Sequence, residues 1–180
     1  MKRRTFFKLA GASGVTVAAV GVGAALWLSG PAAPVSGFAT IADARRWVQA
    51  IGSGQAIATA GWPVAQVFEH CAQSIEFSLQ GFPQAKSALF QDTAGALGFQ
   101  AFTRVGRMQH DLEEPIPGAP ALVATDLAAA AQRLDAAFAA FEAHAGPLAP
   151  HFAYGALDKA QYTRAHLMHL ANHAERVRQA

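Results

Sequence analysis

From residue 40 onward the apolar residues recur at intervals of three and four, the period of a helix with one face turned inward. "TIADARRWVQAI" sets Ile41, Ala44, Val48 and Ile51 on one stripe behind Thr40, a residue type that caps helices. "GWPVAQVFEHCAQSIEFSLQGF" repeats the pattern with Val64, Val67, Cys71, Ile75 and Leu79, opening at Pro63 and closing at Gly81. "SALFQDTAGALGFQAFTRV" predicts a third helix, weakened by Gly95 and Gly98. "TDLAAAAQRLDAAFAAFEAHA" predicts the strongest, capped by Thr125 or Asp126 and closed by Gly146, and a last helix is expected from about Leu157 and Asp158 to the end of the chain. No run alternates with the two-residue period of a strand, so negligible sheet is expected.

Two stretches break the helical pattern. "HDLEEPIPGAPAL" holds three prolines and a glycine and predicts a long connection at about residues 109–121, and "GPLAPHFAYGALD" is a second one. Four or five helices joined by one long crossover predict an all-α fold, a four-helix bundle that is not simply up-down-up-down.

Before residue 38 the pattern differs. "MKRRTFFKLA" carries a basic cluster, and no charge follows from Leu9 to Ser29, a run of about 30 Å if helical, enough to cross a bilayer. A basic start followed by an apolar, Gly- and Ala-rich stretch is the pattern of an export signal. Residues 1–37 are therefore expected to be a signal or an uncleaved membrane anchor, with cleavage sites after Gly37 or Ala39 if it is removed, and residues 38–180 one helical domain.

This segment also changes the charge balance. It holds Lys2, Arg3, Arg4 and Lys8, four of the fourteen basic residues, which leaves ten against twelve acidic ones in the remainder. The alkaline character belongs to the signal. Without a basic stripe interleaved with aromatics, no nucleic-acid partner is expected. Cys71 is the one cysteine, which excludes an intramolecular disulfide and points to a buried, inert thiol.

The candidate chemistry lies in the histidines. Three of the seven crowd into "AHLMHLANHAERV". At about 100° per residue, His166, His169 and His173 fall within an arc of about 60°, on the side that carries Tyr162, Leu170 and Val177. Imidazoles on a core-facing arc need partners for both ring nitrogens, and a divalent cation would take neutral imidazole lone pairs. His169 and His173 have the i, i+4 spacing that lets one helix grip one ion. The position after His169 is Leu170 where a zinc peptidase needs Glu, which excludes that class. His70, at the border of the second helix's stripe, is the best candidate for a third ligand, against the plain reading of a histidine at an amphipathic border. His151 and Tyr154 are placed at the mouth of the site or in loop packing. Glu113 and Glu114 read as an exposed acidic loop or a lid carboxylate. His110 and His144 show no convergent partners and receive no role.

Two resemblances add to this. "KRRTFFK" resembles a twin-arginine signal, which implies passage through the twin-arginine export machinery in the folded state and a periplasmic or exported protein, anchored in the inner membrane if the signal stays. "WPVAQVFEHCAQSIEFSLQGFPQ" and "HFAYGALDKAQYTRAHLMHLANHAERV", in that order and separation, resemble the DinB-like superfamily of metal-binding four-helix bundles, and within it a bacterial branch of exported proteins. The resemblance implies that one histidine of an early helix and an H-x-x-x-H pair of the last helix bind a divalent metal, which here matches His70, His169 and His173. His166 matches no ligand position and is expected beside the site or in the core. The implied activities are metal-dependent hydrolysis or thiol transfer on a small-molecule substrate. The alternative is a non-catalytic periplasmic metal binder for sequestration, delivery or sensing. A three-imidazole site accepts Zn²⁺, Ni²⁺ or Fe²⁺ among other divalent ions. A haem bundle using Met168 is the weakest reading, since C-x-x-C-H is absent, and a homodimer is left open.

Overall fold

A computed structural model describes residues 25–179 of the chain. Its packing divides the chain into two units, Met1–Pro31 and Ala32–Ala180. In the first, residues 25–28 make a helical turn. The basic cluster and most of the apolar run on which the export expectation rests lie outside the described residues. Among those described, no helix is long and apolar enough to cross a membrane.

The second unit is mostly helical. Helix α1 (Ile41–Gly52) starts on a reciprocal cap, in which Thr40 Oγ1 accepts the Asp43 N–H and the Asp43 carboxylate accepts the Thr40 N–H. Its buried residues are Ile41, Ala44, Val48 and Ile51, the stripe read from the sequence. Helix α2 (Val64–Gln80) follows Pro63, which cannot donate to the preceding turn, and stops at Gly81, whose φ of 106° disfavours any side chain. Helix α3 (Ala96–Val105) is led in by a short turn, Ala88–Phe90, and a π-helical turn, Gln91–Gly95. Gly95 is required there, because a Cβ would lie 2.0 Å from the Ala153 carbonyl oxygen. Gly95 thus marks a widened turn and a close approach, and Gly98 is carried inside the helix with open space beside it.

Helix α4 (Leu127–Ala143) is capped by Asp126, and helix α5 (Lys159–Ala174) by Asp158, paired reciprocally with Gln161. Helix α4 packs on α2 and α1, and α5 on α2 and α1, around a core of Val48, Phe68, Leu134, Phe138 and Tyr162. Phe99 and Met108 form a smaller cluster with Ala165 and Met168 of α5. The long connection is real: no regular element lies between α3 and α4.

Two expectations need correction. Helix α5 ends at Ala174 instead of running to the terminus, because the Arg176 N–H turns back onto the His173 carbonyl and Val177 is buried. Residues beyond the turn form β2 (Val177–Gln179), antiparallel to β1 (Ala56–Ala58), with Ala58 opposite Val177. Strands of three residues are too short for a period-two signal, so this small sheet was invisible in the pattern.

Candidate metal centre

Helix α2 brings His70 to the last turns of α5, where His169 and His173 stand one above the other. His70 Nε2 lies 3.1 Å from His169 Nε2, and His173 Nε2 lies 3.2 Å from the same atom. A fourth ring joins them. His110, in the connection after α3, has its centroid 4.9 Å from that of His169 and 5.1 Å from that of His173. One nitrogen from each of the four lies within 4.8 Å of the others, so this group could hold a metal ion.

Hydrogen bonding alone does not satisfy this arrangement. A ring nitrogen carries either a proton or a lone pair, so His169 Nε2 cannot serve both neighbours well. His70 Nδ1 and both nitrogens of His110 are shut off from solvent without a hydrogen-bond partner. Asn172 faces His110, but no hydrogen bond of normal geometry joins them, and its Oδ1 is also unpartnered.

The electrostatics favour neutral rings. Burial, reinforced by His110, lowers His70 to about 4, and burial with His70 lowers His173 to about 2. His169 is held well below the ordinary imidazole value by burial and by its three neighbours in the cluster, and burial also lowers His110. Neutral imidazole is the form that ligates a cation.

An amphipathic border faces solvent on one side, yet His70 is only 3 % exposed. The reason lies on α2 itself. Glu69, also buried, accepts the Val123 and Ala124 N–H groups at 2.7 and 2.8 Å, and Gln73 Nε2 donates to the Pro120 carbonyl. These two residues strap the connection over the His70 face. At its other end, the Ser36 N–H holds the Gly106 carbonyl, four residues before His110.

The other histidines separate cleanly from this group. His166 sits in the core, stacked on Tyr162, edge-on to Phe141 and bonded to Ser78 Oγ. His151 is buried in the second connection, stacked on Tyr154 with its Nδ1 capping two backbone N–H groups. Both line a cavity of about 230 Å³ that has His70, His110 and His169 at one end. His144 bonds the Pro147 carbonyl at the surface. Glu113 pairs with Arg176, and Glu114 reaches the cavity rim. Cys71 is buried, and desolvation pushes its thiol pKa up, which makes it inert.

His110 is the residue that sequence reasoning passed over. A loop histidine has no periodicity to aim it. The usable signal was its place in the one long connection, which must cross some face of the helices.

The chain matches, over residues 37–180, the family model described as "Protein of unknown function (DUF1569)". It belongs to that family. The DUF1569 match contains all four clustered histidines, both connections and the strand pair. No curated protein and no solved structure matches the chain significantly.

Proposed function

We propose that the cluster is a divalent-metal site with His70, His169 and His173 as ligands and His110 as a fourth member, in a DinB-like helical bundle that is exported through the twin-arginine machinery and works in the periplasm. The observation that carries this is the spacing of the nitrogens. Imidazoles at 2.0–2.1 Å from a tetrahedral ion stand about 3.3 Å apart. The two Nε2 separations, 3.1 and 3.2 Å, are close to that. Neutral rings cannot satisfy all three Nε2 atoms by hydrogen bonds to one another, and both His110 nitrogens beside them have no partner, so an ion explains both the close approach and the unpartnered fourth ring. The all-nitrogen set suits Zn²⁺, Ni²⁺ or Fe²⁺.

A bound ion of this kind supplies Lewis acidity and activation of water. What the chain's own residues do is hold four neutral rings, exclude solvent behind Trp62, whose ring lies 5.1 Å from His70, and keep a cavity open on one side. That cavity favours catalysis on a small molecule, by hydrolysis or thiol transfer, over sequestration. The second reading, a non-catalytic binder, draws on His110: a fourth imidazole closes the coordination sphere, as in structural sites.

Metal content per chain tests the proposal, measured for wild type and for the Ala variants of His70, His169, His173 and His110. Loss of most metal in the first three supports it, and a wild type without metal refutes it. The visible spectrum of the Co²⁺-loaded protein then separates the two readings. A spectrum changed by His110→Ala marks a closed site, and an unchanged one an open site.

A further inference from the structure

The polar atoms of His151 and His166 specify more than the metal reading uses. Their tautomers follow from their partners. The Ser78 hydroxyl donates to the Ile75 carbonyl at 2.6 Å, so toward His166 Nε2, 3.3 Å away, it can only accept. The His166 proton therefore sits on Nε2, and Nδ1 is an acceptor with no partner among the described residues. His151 is the reverse. Its Nδ1 accepts the Ala153 and Tyr154 N–H groups at 3.1 and 3.2 Å, so its proton sits on Nε2, a donor. Burial lowers both rings to about 3, so both are neutral near pH 7, and each is close enough for His166 to act on the charge of His151. Met108, Ile116 and Ala165 give the cavity an apolar wall, Ser74 and Tyr154 also line it, and Lys86 and Glu114 are exposed at its rim.

We propose that this cavity binds a small neutral molecule with an apolar body and a carboxamide head, whose N–H donates to His166 Nδ1 and whose carbonyl accepts from His151 Nε2–H. Size sets the body. A cavity of about 150 Å³ holds benzene, so by proportion this one, of about 230 Å³, holds about nine non-hydrogen atoms. A carboxylate has no donor for His166 Nδ1 and leaves that acceptor unpaired. A plain hydrocarbon leaves both ring atoms unpaired. That the ligand is what the metal acts on rests on the metal reading above; its binding does not.

Titrations of the purified full chain with benzamide, benzoate and ethylbenzene, followed by calorimetry on zinc-loaded and chelator-treated protein, test this. Benzamide is expected to bind at least about tenfold more tightly than either of the others in the chelator-treated protein, where no ion can hold a carboxylate, and to outbind ethylbenzene in both preparations. His166→Phe, which keeps the ring shape and removes the acceptor, should erase that advantage while ethylbenzene still binds, which shows the cavity intact. Ala165→Leu, which fills the wall, should abolish binding of all three. The proposal is overturned if benzoate binds the chelator-treated protein as well as benzamide does, if no probe binds, if His166→Phe keeps the benzamide advantage, or if Ala165→Leu leaves it. Benzamide binding by a protein that takes up no zinc would refute the metal reading alone and leave this one standing.

Discussion

Six of the seven histidines form two groups, all lowered in basicity by burial but opposite in bonding. His151 and His166 are sealed in the core and lowered to about 3, yet each has a nitrogen engaged by the protein, through two backbone N–H groups in one case and a serine hydroxyl in the other. His70, His110, His169 and His173 are lowered for the same reason, but their nitrogens meet mainly one another, and three of those atoms have no partner at all. Burial therefore does not make a ligand. What separates the groups is whether the fold supplies hydrogen-bond partners, and that can be tested residue by residue.

The largest contrast is in metal content. His169→Ala should remove nearly all bound metal, because His169 Nε2 is the atom both neighbours approach, and His70→Ala and His173→Ala should remove most of it. His166→Ala should retain it. Elemental analysis giving equal losses at His166 and His169 would erase the distinction.

Next comes stability. An ion bound only by the native state adds about 2.7 kcal/mol at a hundredfold excess over Kd. For a chain of this size that raises Tm by roughly 5–10 °C. Calorimetry with and without a chelator should show this shift in wild type and lose it in His169→Ala.

Acid should act through the satisfied group as well. In the unfolded chain His151 and His166 take up protons near pH 6.5, whereas in the native state they stay neutral to about 3. The unfolded state binds more protons between those values. Stability of the metal-free protein therefore falls as pH drops below about 6.5, by up to about 1.4 kcal/mol per pH unit for each ring. His166→Phe should flatten the slope by one such share in denaturant titrations between pH 6.5 and 4. An unchanged slope would mean that His166 is charged in the native state.

The smallest effect concerns the strap. Glu69→Gln weakens two charge-assisted bonds to the Val123 and Ala124 N–H groups and should cost about 1–2 kcal/mol. Hydrogen exchange should speed up across residues 110–124 while α1 keeps its protection.

Much of this was legible in the sequence, and the limits have physical causes. Helix α1 agreed down to its capping residue and its four buried positions, because amphipathic period and cap chemistry are local properties. His169 and His173 were legible for the same reason, as two positions on one helix face. His70 was placed on the right helix but with the wrong exposure, since its cover comes from a connection about 50 residues downstream. His110 was missed because nothing local aims a loop side chain; Glu69, Gln73 and Ser36 do so from elsewhere in the chain. The strand pair joins residues about 120 apart, and three-residue strands carry no signal of their own.

That strand pair bears on time more than on affinity. His173 occupies the last turn of α5, and helix ends open and close far faster than helix middles. Here the turn is followed at once by a clasp, with the Thr59 N–H on the Arg176 carbonyl, Val177 buried, and β2 laid along β1. A ligand that would otherwise fray in and out is tied to the segment ahead of α2. For any ion gripped by His173, the route of escape by unwinding the helix end is closed until the clasp opens, so residence time is set by a contact that touches no histidine.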